Sequence, residues 1–269
     1  NYCAVYREDN NSILGVINIP DPNCIQNSDM FNIVNGLYDQ NKLEFVTTSQ
    51  LNYGAQIFGI FKFIQNYEIF GEIIDHYIVI LNDHTKSDGK VTIIHLPVLR
   101  RSETMLIGMI PTSWQKFRVF QPVEGYDVSR MTDDFINMFE NVKSRITSKF
   151  TKLSEYEISD KEIDKFLDIT FPFIYDTNGQ LLATKENEKI DLYRSQFMSE
   201  CYNFTYFENF EISEKLLQLY LAMLDFDQHM YKKLDSTYDL SYRIKRVPGL
   251  NTEKGITDKG LEYITKLVK

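Results

Sequence analysis

Near residue 127 the apolar residues of this chain stop alternating with polar ones and begin to recur at every third or fourth position. That change, from strand periodicity to helix periodicity, divides the chain into two kinds of structure. Beyond it, Phe135, Phe139, Val142, Ile146, Phe150 and Leu153 form a single stripe, and an amphipathic helix of about six turns is expected. Ser159 and Glu162 stand three apart as a capping box, so a second helix starts there and stops before Pro172. Asn178-Gly179 marks a loop. Residues 185–202, 213–233 and 257–268 carry further helical patterns.

Before residue 127 the pattern is of strands with one helix among them. Residues 3–7 and 13–19 flank the turn-forming Glu8-Asp9-Asn10-Asn11, an opening hairpin that Pro20 and Pro22 terminate. Asn27 or Ser28 is suited to cap a short helix with the stripe Phe31, Val34 and Leu37/Tyr38, closed by Asn41. Residues 43–48 and 55–64 are β-branched and aromatic, with the turn-like Leu51-Asn52-Tyr53-Gly54 between them. Residues 75–81 and 90–98 enclose a polar stretch ending in Asp88-Gly89, a further hairpin. Residues 100–110 fit helix or extended chain, and 114–120 a strand. The expectation is an α+β protein: an antiparallel sheet region over 1–125 in the order β-β-α-β-β-β-β, and a helical region over 126–269 packed on it as one unit.

Composition excludes several classes. With 43% hydrophobic and 25% charged residues over 269 positions, a sizeable core is within reach and wholesale disorder is not expected. No apolar run approaches the ~18–20 residues of a membrane span, and the best, 57–64, is broken by Gly59 and Lys62. The first residues lack the pattern of a signal peptide. Cys3, Cys24 and Cys201 are too few and too scattered for a disulfide framework or a zinc site, so a reducing, cytoplasmic setting is expected. The net charge of −9 argues against a general polyanion-binding surface and leaves room for a local one.

Among candidate chemical groups the four histidines come first. In the second hairpin His76 and His95 fall opposite each other, with Cβ atoms ~5 Å apart, and Asp75 adjoins one of them. An ordinary sheet pair is the simpler account; the alternative is half of a metal or proton-transfer site. A third ligand is not evident, since His84 at the tip lies on the order of 25 Å away along the strand. Asp225 and His229 share a helix face, as a surface hydrogen bond would require. Glu155, Glu157, Asp160, Glu162 and Asp164 are explained by capping and solvation. No Gly-rich phosphate loop or nucleophile elbow occurs, and Cys24 and Cys201 carry no nucleophile signature. No cofactor is expected. Arg145, Lys149 and Lys152 follow i, i+4, i+7 spacing opposite the apolar stripe. Arg100-Arg101 follow a strand, and Tyr242 and Arg243 open a basic stretch ending at Arg246. Such tracks follow a phosphate backbone while aromatics stack on bases, although most are solvated faces. Residues 216–230 are apolar around most of a helix, which suits the core or a subunit contact.

Several of these residues resemble the phage/plasmid-like protein family described as domain of unknown function nine hundred and thirty-two. The resemblance runs from Ala4-Val5-Tyr6-Arg7-Glu8-Asp9 and Leu14-Gly15-Val16, through the helix at 29–38 and Gly54-Ala55-Gln56-Ile57-Phe58, and is clearest over 77–98 with Asn82, His84 and Asp88-Gly89. A weaker match extends through the helices as far as residues 216–229. The chain departs from the family pattern at Thr85-Lys86-Ser87, inserted between the histidine and Asp88-Gly89. It departs again at 99–106, where the family's cysteine and asparagine are absent. The resemblance implies a place in mobile-element biology, additional residues ahead of Asn1, and no established reaction. The leading expectation is therefore a non-enzymatic protein of phage or plasmid type that binds single-stranded nucleic acid during replication or recombination, as a homo-oligomer. Arg100, Arg101, Arg145, Lys149, Lys152 and Arg243 would contact phosphate, and Tyr242 a base. The competing expectations are a protein-binding factor, either a virion component or an inhibitor of a host defence enzyme, and a metal-dependent enzyme on His76 and His95. No membrane partner is expected.

Overall fold

The computed structural model describes residues 2–18, 25–85, 90–106, 116–120, 128–203, 216–230 and 258–268. Its strands fall in the first half and its long helices in the second, the α+β arrangement that the periodicities imply. In order the strands are β1 (Tyr2–Tyr6), β2 (Ile13–Asn18), β3 (Leu43–Leu51), β4 (Gln56–Phe63), β5 (Tyr67–Ile69), β6 (Glu72–Asp83), β7 (Lys90–Leu99), β8 (Thr104–Met105) and β9 (Lys116–Phe120). The helices are α1 (Asn27–Asp39), α2 (Val128–Glu155), α3 (Asp160–Thr170), α4 (Lys185–Asn203), α5 (Leu216–Asp225) and α6 (Asp258–Leu267). A wider turn, Phe226–Met230, continues α5. By contacts the chain divides into two compact units: one is Asn1–Tyr67, Ile73–Val98 and Ile110–Ser144, and the other is Glu68–Glu72, Leu99–Met109 and Arg145–Lys269. No helix among the described residues is long and apolar enough to cross a membrane.

In the first unit β1 and β2 form their own two-stranded antiparallel sheet, and Arg7 closes its turn on Asp9 with bonds of 2.6 and 2.9 Å. The main sheet places β3, β4, β6 and β7 side by side, with β9 on β7. Gly59 and Phe61 of β4 oppose Ile80 and Ile78 of β6. α1 buries Met30, Ile33, Val34 and Leu37, the 3-4 spacing that a helix needs to lie on a sheet. Its cap differs from the expected one. Gln26, not Asn27 or Ser28, is the capping residue, in a reciprocal box with Asp29, because the Asn27 side chain accepts instead from Asn82 Nδ2 at 3.1 Å and meets His84 Nε2 at 3.2 Å. Asn82 also donates to the Ile25 carbonyl at 2.8 Å, so the end of β6 is bonded to the entry of α1.

The second unit is organised by aromatic rings. Phe166 of α3, Phe197 of α4, Phe171 and Phe226 are all essentially inaccessible, and Phe171 lies 5.5 Å from Phe226 and 5.8 Å from Phe197. α5 is buried along its whole length, Leu216 to Leu224. The apolar circumference read from 216–230 is thus core in α5. The capping box of Ser159 and Glu162 starts α3 as expected. Against this core α6 presents Gly260, where an added Cβ would come within 2.5 Å of Thr170 Oγ1, 2.7 Å of the Phe166 ring and 2.9 Å of Met223 Sδ. Alanine gains ~1 kcal/mol of helix propensity over glycine, but overpacking costs ~1–3 kcal/mol. With three obstructions on two different helices the second effect is larger. Gly260→Ala is expected to lower stability by about 1–2 kcal/mol in chemical denaturation, and a rise would mean that α6 shifts freely.

A buried histidine pair and a row of helix cations as candidate sites

Alternation along β6 sends His76 to one face of the sheet and Asp75 to the other. Asp75 is accordingly met by Lys62 at 2.9 Å, and His76 turns inward with His95 of β7. The two imidazoles are wholly buried, and His76 Nε2 lies 2.8 Å from His95 Nδ1. One ring donates and the other accepts, so the contact needs at least one neutral ring. Phe63 stacks on His95 at 6.3 Å and meets His76 edge-on at 5.4 Å. Phe139 of α2 is 4.8 Å from His76, Phe135 is 6.2 Å from His95, and Tyr67 closes the cage at 6.5 Å from His76. Burial removes the water that would solvate a charge. It pushes His76 far below the usual imidazole range, helped by His95, and His95 down to about 3.

Chemically the pair is poorly placed for metal. Each ring directs a nitrogen at the other, the rings of Phe63, Phe135 and Phe139 pack against them, and no group of three His, Cys, Asp or Glu able to hold an ion occurs among the described residues. The arrangement is that of a polar hydrogen bond sealed inside an aromatic core.

The cations lie in the second unit. Arg145, Lys149 and Lys152 of α2 flank the buried stripe of Ile146, Phe150 and Leu153 about a quarter-turn round the helix, and are not opposite it as the spacing suggested. Arg145 and Lys152 are exposed, but Lys149 is only half so. Its ammonium is pushed down first by burial and then by the neighbouring charge of Lys152. Spaced i, i+3, the two like charges are neighbours on the helix surface. Arg100 is exposed in the turn after β7. Arg101 is also exposed and stands 3.8 Å from Glu72, whose carboxyl burial pushes up against the opposing pull of Arg101. Tyr242 and Arg243 lie outside the described residues. In the expected Asp225–His229 pair the atoms are 3.9 Å apart, too long for a hydrogen bond, and Asp225 accepts from Thr104 at 3.0 Å.

Two polar constructions escaped the sequence reading. Gln228 treats the strand β8 as a partner: Met105 N–H donates to its Oε1 at 2.9 Å and its Nε2 donates to the Met105 carbonyl at 3.0 Å. The loop between α3 and α4 is held more elaborately. Buried Asn187 accepts from Ile174 N–H at 2.8 Å and donates to the carbonyls of Ile174 and Leu182, both at 2.7 Å. Arg194 donates to the Phe171 carbonyl at 2.7 Å and to Asp168 at 2.9 Å, with its guanidinium 4.1 Å from the Phe173 ring centre. What this scaffold displays is apolar: Ile174, Tyr175 and Leu181 are 44–56% exposed. Thr184, which caps the start of α4 through Asn187 N–H at 3.3 Å, was the available signal.

Comparison with protein-family models, with curated proteins and with solved structures finds no match to this chain.

Proposed function

We propose that the chain binds single-stranded nucleic acid through the cation row of α2, as a component of phage or plasmid replication or recombination. The observation that supports it is the adjacency of Lys149 and Lys152, three positions apart on α2, in a protein whose net charge is −9. A phosphate placed between them relieves the repulsion, and Arg145 one turn earlier extends the track along a backbone. Arg100 and Arg101 are secondary contacts in this reading, and Tyr242 and Arg243 are candidates for stacking and phosphate contact. The mobile-element setting rests on the family resemblance of residues 4–98.

Fluorescence anisotropy with a labelled single-stranded oligonucleotide tests it. Three phosphate contacts give a salt slope near −2, so affinity is expected to fall ~20-fold between ~50 and ~200 mM salt. The triple variant Arg145→Glu, Lys149→Glu, Lys152→Glu is expected to lose binding at low salt. Wild-type affinity in that variant would refute the reading.

The apolar loop favours a second reading, a protein-binding factor. Ile174, Tyr175 and Leu181 are exposed together on this loop, and apolar and aromatic side chains of this kind anchor protein interfaces. In that case a stoichiometric protein complex forms without nucleic acid and is lost in Leu181→Asp.

A further inference from the structure

We propose that β3 is a self-association edge, pairing antiparallel with β3 of a second copy about a two-fold axis at Thr48. Among the described residues its strand partner is β4 on one side alone, and all seven residues from Glu44 to Gln50 are exposed. An uncovered edge offers backbone N–H and C=O groups to any strand, and monomeric proteins blunt such edges with lysine, proline or covering elements. Nine-residue β3 has no lysine or proline: its one charge is Glu44, and Phe45 and Val46 are 48% and 47% exposed. A bulge at Val46 separates a regular run, Thr47 to Leu51, from the rest.

The segment Val46 to Gln50, which includes the bulged residue, is complementary to itself. With Thr48 on the axis, Thr47 faces Ser49 of the second copy and Gln50 faces Val46. Hydroxyl pairs of this kind stabilise antiparallel neighbours. The two Glu44 side chains, eight positions apart along the ladder, are separated by ~26 Å, so no like charges meet. A two-strand ladder alone buries less than the ~1,000 Å² of a stable interface. The β1–β2 hairpin supplies more. Arg7 donates to Gln50 at 3.2 Å, which fixes the hairpin turn beside the end of β3 where Val46 of the second copy would lie. The hairpin leaves Tyr2, Tyr6, Ile13 and Val16 58–76% exposed, an apolar face left open among the described residues. Tyr53, 95% exposed at a left-handed φ of 56°, stands at the same end. A second copy therefore satisfies both the edge and the hairpin, whereas an unrelated strand would satisfy the edge alone.

Sedimentation velocity of the full chain at ~5–100 µM tests this. The wild type is expected at twice the chain mass of 31.7 kDa. Thr47→Lys with Ser49→Lys sets lysines opposite lysines and is expected to weaken dimerisation roughly tenfold or more, as is the pair Thr47→Glu with Ser49→Glu. Mixing the lysine and glutamate proteins is expected to restore a dimer. Both positions are solvent-facing, so circular dichroism should match the wild type, and either charged pair suffices if the other fails to fold. A wild type monomeric at ~100 µM overturns the proposal, and so does a dimer indifferent to both charge pairs or a mixture that stays monomeric.

Discussion

Lowering the pH from 7 to 5 is expected to remove about 4 kcal/mol of stability through His76 and His95 alone. In the unfolded chain both rings titrate near 6.5, whereas in the folded protein burial holds them neutral, His95 down to about 3. The folded-state values are depressed, so the contribution is complete above 6.5 and is lost as the pH falls, because the unfolded chain takes up protons that the core cannot. Each ring loses ~1.4 kcal/mol per pH unit in that window. The facing side chains are mostly uncharged: Phe63, Tyr67, Phe135 and Phe139, with Glu140 and Lys143 reaching only the Tyr67 ring. Lys62 and Asp75 neutralise each other on the opposite face. Glu72, whose raised carboxyl works in the opposite direction, is common to every variant and cancels in a comparison. Urea denaturation at pH 7, 6 and 5 should therefore show a steep acid loss in the wild type and a shallow one in His76→Leu/His95→Leu. Parallel profiles would mean that the pair is hydrated or charged in solution.

Asn187→Ala is expected to cost about 2 kcal/mol, a large effect for a side chain with so little apolar surface. The asparagine adds three bonds, to one N–H and two carbonyls, where Leu182 N–H already donates to the Ile174 carbonyl at 3.2 Å. Alanine leaves the Ile174 N–H without a partner, whereas the Ile174 and Leu182 carbonyls each lose one bond and keep another, from Leu182 N–H at 3.2 Å and Thr184 N–H at 3.0 Å. Asn187→Asp keeps the bond from Ile174 N–H but loses both donations and sets an acid against two carbonyls, so it should be no milder. Asp176→Ala, which removes two exposed turn bonds, is expected to cost ~1 kcal/mol. Denaturation curves and proteolysis between residues 173 and 183 separate the cases. Equal effects at Asn187 and Asp176 would show that the loop is not held from beneath.

Periodicity and local turn chemistry carried most of the secondary structure. The stripe from Phe135 to Leu153 became α2, Ser159 and Glu162 began α3, and the polar stretch ending in Asp88-Gly89 separates β6 from β7. Failures occurred where a distant residue decided a local choice. Asn27 is an excellent cap by type, yet Asn82 and His84, more than fifty positions away, take its oxygen, and Gln26 caps α1 instead. The helical pattern of 213–233 gives no hint that the backbone widens after Asp225, where Gln228 bonds to Met105. Three-residue β5 lacks the length to show alternation, and its turn uses Phe70 and Gly71, both at left-handed φ, without an Asn-Gly or Asp-Gly pair. For the candidate sites, strand pairing placed His76 opposite His95. Their enclosure by Phe63, Tyr67, Phe135 and Phe139 depends on how α2 lies on the sheet, which spacing does not specify.

The bonds between Gln228 and Met105 span 123 positions of chain. On a ribosome adding ~5–20 residues per second, Met105 is made about 6 to 25 seconds before the amide that will hold it. Throughout that interval the strand of Thr104 and Met105, with the fully buried Leu106 beside it, has emerged without the helix meant to cover it. Nascent chains stalled before residue 216 are thus expected to recruit chaperones at this segment, and synonymous codons that slow translation between 106 and 228 should lower the yield of native protein without changing a single amino acid.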